Sequence, residues 1–104
     1  MSEFVPVAKA EQLKPDIIVS VFTGGRELAL FLVDGQPYCT EDICTHEDCL
    51  LSDDGWVEGE EVECGCHGAR FNIKTGAVTM PPAIDPLRTF PAEIRDGQVY
   101  IQLP

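Results

Sequence analysis

Apolar residues along this chain fall in short, β-rich runs, and clusters of Gly, Asp and Pro separate these into strand-length pieces. Asp16–Phe22 and Glu27–Val33 read as strands joined by a turn at Thr23-Gly24-Gly25. Asp34-Gly35 turns the second into Gln36–Thr40, since Asp and Gly tolerate the positive φ of a tight hairpin. Near the end, Arg88–Arg95 and Gln98–Leu103 flank a turn at Asp96-Gly97, and Val99, Ile101 and Leu103 alternate as a half-buried strand requires. Only Ala8–Leu13 suggests a short helical turn. The expected fold is all-β, an antiparallel sandwich or barrel. Residues 41–83 depart from this pattern: they are rich in Gly, Asp, Glu, Cys and Pro and read as a subdomain inserted into the β framework.

With 104 residues the chain is expected to form one domain, 1–104, with a modest core. The longest apolar run, Leu28-Ala29-Leu30-Phe31-Leu32-Val33, is strand-sized and far short of the ~18 residues that span a bilayer. Met1-Ser2-Glu3-Phe4 lacks the basic and apolar regions of an export signal, so a cytoplasmic protein without a membrane anchor is expected. The net charge is −11, and ten of the eighteen acids fall between Glu41 and Glu63, where there is no Lys or Arg. Such a charge disfavours nucleic-acid binding. It suits either a solvated surface or the steering of basic partner faces.

The candidate chemistry lies at the two ends of that acidic stretch. Cys44-Thr45-His46 is a C-x-H pair, and Cys64-Gly65-Cys66-His67 contains a C-x-x-H pair; together they use both histidines of the chain. Two thiolates and two imidazoles are the ligand set of a Rieske [2Fe–2S] centre, in which cysteines hold one iron and histidines the other. Zinc also takes Cys₂His₂, but its ligand pairs usually need two to four intervening residues, and one residue between Cys44 and His46 is too tight. Cys44 and Cys64 are therefore the expected thiolates, and His46 and His67 the expected imidazoles. Cys66 neighbours the second pair and stands as an alternative ligand that the spacing makes second to Cys64. Cys39, beside Tyr38 in a predicted strand, is expected to be a buried thiol.

On these motifs and their flanks the chain resembles the small Rieske-type ferredoxins of bacterial aromatic-ring-hydroxylating dioxygenase systems. The resemblance runs through Thr40-Glu41-Asp42-Ile43 before the first motif, Leu51-Ser52-Asp53-Asp54-Gly55 and Val62-Glu63 between the motifs, and Gly68-Ala69-Arg70-Phe71-Asn72-Ile73-Lys74-Thr75-Gly76 after the second. Pro81-Pro82-Ala83 completes it. It implies a Rieske fold, a β-sandwich or barrel base whose inserted subdomain, about 41–83, binds one [2Fe–2S] cluster, with Pro81-Pro82 covering it. It implies an electron carrier rather than an enzyme. Its partners would be an NAD(P)H-dependent flavoprotein ferredoxin reductase and a terminal Rieske oxygenase, with Glu47 and Asp48 tuning docking. A monomer is the simplest state for such a shuttle. The small Rieske subunit of another redox complex, nitrite reductase-like or arsenite oxidase-like, is the alternative.

One departure from that family and one contrast with high-potential Rieske proteins carry information. Cys49 and Cys66 match cysteines that form a disulfide between the ligand loops in quinol-oxidising Rieske subunits, a pair that most dioxygenase ferredoxins lack. The resemblance implies a Cys49–Cys66 bridge here, worth roughly 3 kcal/mol in the chain-entropy model. A reducing cytoplasm opposes it and shielding beside a cluster favours it. In high-potential Rieske proteins, Ser and Tyr hydroxyls bond cluster sulfurs; the matching positions here are Ala69 and Phe71. The reduction potential is accordingly expected at the low end of the Rieske range, on the order of −150 to −50 mV.

Overall fold

A computed structural model of the chain describes residues 3–44, 49–66, 68–81 and 83–103. The N-terminal part runs β1 (Glu3–Lys9), a 3₁₀ turn (Ala10–Gln12), β2 (Val19–Thr23), β3 (Arg26–Val33) and β4 (Gln36–Glu41). The one-turn helix α1 (Leu51–Asp54) then precedes β5 (Trp56–Glu58), β6 (Glu61–Glu63), β7 (Arg70–Asn72) and β8 (Val78–Met80). The chain closes with β9 (Thr89–Phe90), β10 (Ala92–Arg95) and β11 (Gln98–Leu103). All pairings are antiparallel, in sheets ordered β1-β11-β10, β2-β3-β4-β9 and β5-β6-β7-β8. This is the all-β, antiparallel architecture expected from the residue pattern.

Strand β3 explains how the parts hold together. Its continuous apolar run has no polar face because both faces are buried. Leu28 and Leu30 join Cys39, Phe90, Val99 and Ile101 in one core, between the first two sheets. Ala29, Phe31 and Val33 join Val62, Phe71 and Ile73 in a second core, beneath the third sheet. A short apolar run bounded by turns is the sequence form of such a doubly buried strand. The turns at both ends of the framework are two-residue hairpins. Asp34 and Gly35 have φ of 52° and 76°, and Asp96 and Gly97 have 49° and 77°, the left-handed pair that matches strand twist.

Five points of the sequence reading are corrected or completed by the structure. Strand β1 was not foreseen; it pairs along β11 from Glu3↔Leu103 to Lys9↔Gln98, with a bulge after Pro6. Proline is tolerated there because β1 is an edge strand. The helical turn predicted over Ala8–Leu13 shrinks to Ala10–Gln12, since β1 claims Ala8 and Lys9. The strand predicted from Asp16 begins at Val19, and Asp16 sits at φ 67°. Arg88–Arg95 is two strands in different sheets: β9 pairs with β4 and β10 with β11, split at Pro91. Finally, the acidic insert builds a four-stranded sheet of its own. Its strands have three residues each, too short for alternation to register.

Cys39 lies on β4, 1% exposed, and burial pushes its thiol up to about 12. A thiol that ionises less readily folded than unfolded stabilises the fold fully below its ordinary pKa of 9.0, and the contribution is lost as pH rises toward 12. Denaturant unfolding of the intact protein should therefore show a fall in midpoint between pH 9 and 12 that Cys39→Val reduces. An identical pH slope in the variant would refute this assignment.

Candidate metal centre: two matched loops around Cys44 and Cys64

Both ligand motifs fold into the same local device. In the first, an isolated bridge pairs Ile43 with Leu50, and the Cys44 N–H donates to the Cys49 carbonyl at 2.8 Å. In the second, Glu63 pairs with Arg70, and the Cys64 N–H donates to the Ala69 carbonyl at 2.8 Å. Each loop is thus closed at its neck by an antiparallel pair and then by a bond from its first cysteine to the residue five positions on. Matched necks present Cys44 and Cys64 at equivalent places. Both are 2% exposed and belong to one apolar cluster with Leu51, Val62, Ala69, Phe71 and Ala83.

The other two loop cysteines are consumed. Cys49 and Cys66 form a disulfide with Cα atoms 6.5 Å apart, tying one loop to the other. Cys66 therefore has no thiolate to offer, and Cys44 and Cys64, which stand outside the bridge, are the sulfur donors left in the loops. Two deeply buried thiols beside a disulfide, rather than within it, fit a group that needs two thiolates and exclusion of water. His46 and His67 lie outside the described residues, as do Glu47, Asp48 and Pro82. Pro81 is described, exposed in a turn at the end of β8; Ala83, just beyond, is buried in the same apolar cluster as the two cysteines.

The third sheet carries an ion cluster at the neck of the second loop. Arg70 Nε donates to Glu63 at 2.6 Å, and its Nη1 reaches Glu58 at 2.9 Å and Glu61 at 3.2 Å. These bonds, led by Glu63, raise the pKa of the guanidinium further above its ordinary value. Lys74 lies between Glu60 and Asp34, at 3.4 and 3.6 Å. Desolvation pulls its pKa down, but Glu60 and the other anionic neighbours outweigh this and leave it raised. The acidic stretch is therefore partly neutralised from within. Among the described residues Asp53 and Asp54 are exposed and enter no ion pair, which leaves them as the outward-facing charge of α1. Arg70 was given no role from sequence, although one signal was present: it is the first cation after Arg26.

This combination of an antiparallel β framework with two matched, cross-linked Cys loops defines an iron–sulfur electron-transfer module. The Rieske [2Fe-2S] domain family matches residues 3–91, and the chain belongs to that family, whose prosthetic group is the [2Fe–2S] cluster. The chain is 38% identical over 97 residues to the ferredoxin component of the naphthalene 1,2-dioxygenase system of Pseudomonas putida, covering 93% of this chain and 91% of that protein. Its structure is similar to the ferredoxin of Sphingomonas yanoikuyae B1, with a TM-score of 0.92 at 34% identity, over 98% of this chain and 100% of that one. It is also similar to a chain in a solved complex of reduced oxygenase and oxidized ferredoxin in carbazole 1,9a-dioxygenase, with a TM-score of 0.86 at 38% identity, over 93% of this chain and 99% of that one. No helix among the described residues is long and apolar enough to cross a membrane.

Proposed function

We propose that this protein is a one-electron carrier for an aromatic-ring-hydroxylating dioxygenase system. It takes electrons from an NAD(P)H-dependent flavoprotein reductase and delivers them to the terminal Rieske oxygenase. The observation that carries this reading is the placement of Cys44 and Cys64, both buried, at equivalent positions of two loops joined by Cys49–Cys66. The ferredoxin relatives, one of them solved with its oxygenase, supply the partner class.

The bound cluster supplies reversible uptake and release of one electron. Cys44 and Cys64 would hold one iron, where their thiolate charge would disfavour reduction. His46 and His67 would hold the other as neutral imidazoles, a ligand set whose lower charge would place the potential above that of four-Cys ferredoxins. The surrounding Leu51, Ala69, Phe71 and Ala83 side chains exclude water from the sulfur side. Residues 41–83 act as the cluster-binding subdomain of a single domain, 1–104, working as a cytoplasmic monomer. No organic substrate is turned over; the oxygenase selects it.

EPR before and after dithionite tests the reading. The expected result is a signal that appears only on reduction, with an average g below the free-electron value. A colourless, EPR-silent protein containing zinc would sink it. A second expectation concerns docking. If Asp53 and Asp54 steer a basic partner face, the second-order rate of electron delivery to the oxygenase falls with added salt. Asp53→Asn with Asp54→Asn should slow delivery at low salt and flatten the salt dependence. Equal salt slopes for both proteins would reassign these acids to solubility.

A further inference from the structure

Helix α1 has a single turn, too short to persist alone. It also lacks a local cap, because its N-cap residue is Leu50 and no side chain there bonds the first turn. The cap comes instead from Asp42, ten residues before Ser52. Asp42, 0% exposed, accepts the Ser52 N–H at Oδ1 (2.8 Å) and the Ser52 hydroxyl at Oδ2 (2.5 Å). Its carbonyl accepts the Leu51 N–H at 2.7 Å, and its own N–H donates to the Glu27 carbonyl at 3.0 Å. One residue thus fastens α1 both to the framework and to the stem of the first loop, two positions before Cys44.

The opposite side of α1 presses on the second loop without slack. A Cβ placed on Gly65, directly after Cys64, would run into the Asp54 carbonyl. One placed on Gly55 would lie 2.6 Å from the Glu63 carbonyl oxygen. Leu51 fills the apolar cluster that contains both Cys44 and Cys64. The helix is therefore a spacer in contact with both loops, and its position determines how far apart they stand.

We propose that Asp42 is a positioning residue for electron transfer: by capping α1 from the first loop, it sets the spacing of the Cys44 and Cys64 loops around the cluster. This rests on Cys44 and Cys64 being the cluster thiolates. Asp42→Ala removes the cap and Ser52→Ala removes half of it. Asp42→Asn keeps an oxygen for the Ser52 N–H and offers an NH₂ group to the Ser52 hydroxyl.

The test is the EPR spectrum of each reduced protein, together with the rate of bleaching under a chelator. Asp42→Ala and Ser52→Ala should shift or broaden the g-values, and Asp42→Asn should return them toward wild type. Bleaching of Asp42→Ala should be about 5- to 30-fold faster, the factor by which a lost helix cap shifts a local opening equilibrium. A merely structural contact would lower thermal midpoints and leave g-values unmoved. Wild-type g-values in Asp42→Ala, or equal damage in Asp42→Asn, would overturn the proposal. If Asp42→Ala takes up no cluster, Ser52→Ala decides, and an unaltered spectrum there overturns it. A wild-type protein without the histidine-ligated signal overturns the ligand assignment and this inference together; a normal wild-type signal with unaltered variants overturns this inference alone.

Discussion

Cys64→Ser should abolish the visible colour and the EPR signal of the reduced protein, while Cys66→Ser should leave a cluster in place. The two cysteines are separated by one residue, and both neighbour the second histidine, so residue type alone does not separate them. Their surroundings do. Cys64 is 2% exposed and packed with Cys44 in the apolar cluster, whereas Cys66 is exposed and bonded to Cys49. With the proposed ligand set, removing Cys64 would take away one of two thiolates. Removing Cys66 takes away a cross-link between the loops, worth roughly 3 kcal/mol if the chain-entropy model holds. The Cys66→Ser protein should therefore stay coloured but unfold earlier and lose iron faster. The result that would falsify the assignment is the reverse pattern, with a coloured Cys64→Ser protein and a colourless Cys66→Ser one.

The second large effect concerns the reduction potential. A midpoint on the order of −150 to −50 mV is expected, near the bottom of the Rieske range. Ala69 and Phe71 are fully buried in the cluster that holds Cys44 and Cys64, and neither has a hydroxyl. A hydrogen bond to a cluster sulfur stabilises the reduced state, because added negative charge strengthens the acceptor. With a net worth of about 0.5–1.5 kcal/mol per bond, Ala69→Ser or Phe71→Tyr should each raise the midpoint by about 20 to 65 mV. Protein-film voltammetry measures both variants directly. A wild-type midpoint above about +100 mV would contradict the missing-donor argument, since that value lies in the upper part of the range. So would two variants that leave the midpoint where it was. The low value suits a carrier fed by reduced flavin and would make quinol oxidation by this chain unfavourable.

The disulfide bears on both experiments. It sits between the loops, with Cys49 half-buried and Cys66 exposed, so a small dithiol can reach Cys66. Both titrations should accordingly be run without dithiols, or bridge reduction will be read as a ligand or donor effect.

Much of this protein was legible in short stretches of residues. Hairpin turns at Asp34-Gly35 and Asp96-Gly97, the strand-length apolar run Leu28–Val33 and the alternation of β11 are local signals, because turn conformation and side-chain period depend on neighbours within a few positions. The C-x-H and C-x-x-H motifs are equally local, and they marked the chemistry before any fold was known. What escaped was set by partners distant in sequence. Strand β1 exists because Glu3–Lys9 finds β11 at the other end of the chain. The three-residue strands of the insert have no period of their own, and their buried Val62 and Phe71 share one core with Phe31 of β3. The Cys49–Cys66 bridge, by contrast, was expected from the resemblance, and the meeting of the two loops makes it possible by bringing the Cα atoms within 6.5 Å. Arg70 gathers carboxylates from two other strands, and Asp42 caps a helix that starts nine residues later. Composition and local spacing determine which chemistry the chain can hold; only tertiary packing decides which of several eligible side chains is dry, bonded or braced, because burial and pairing depend on every element at once.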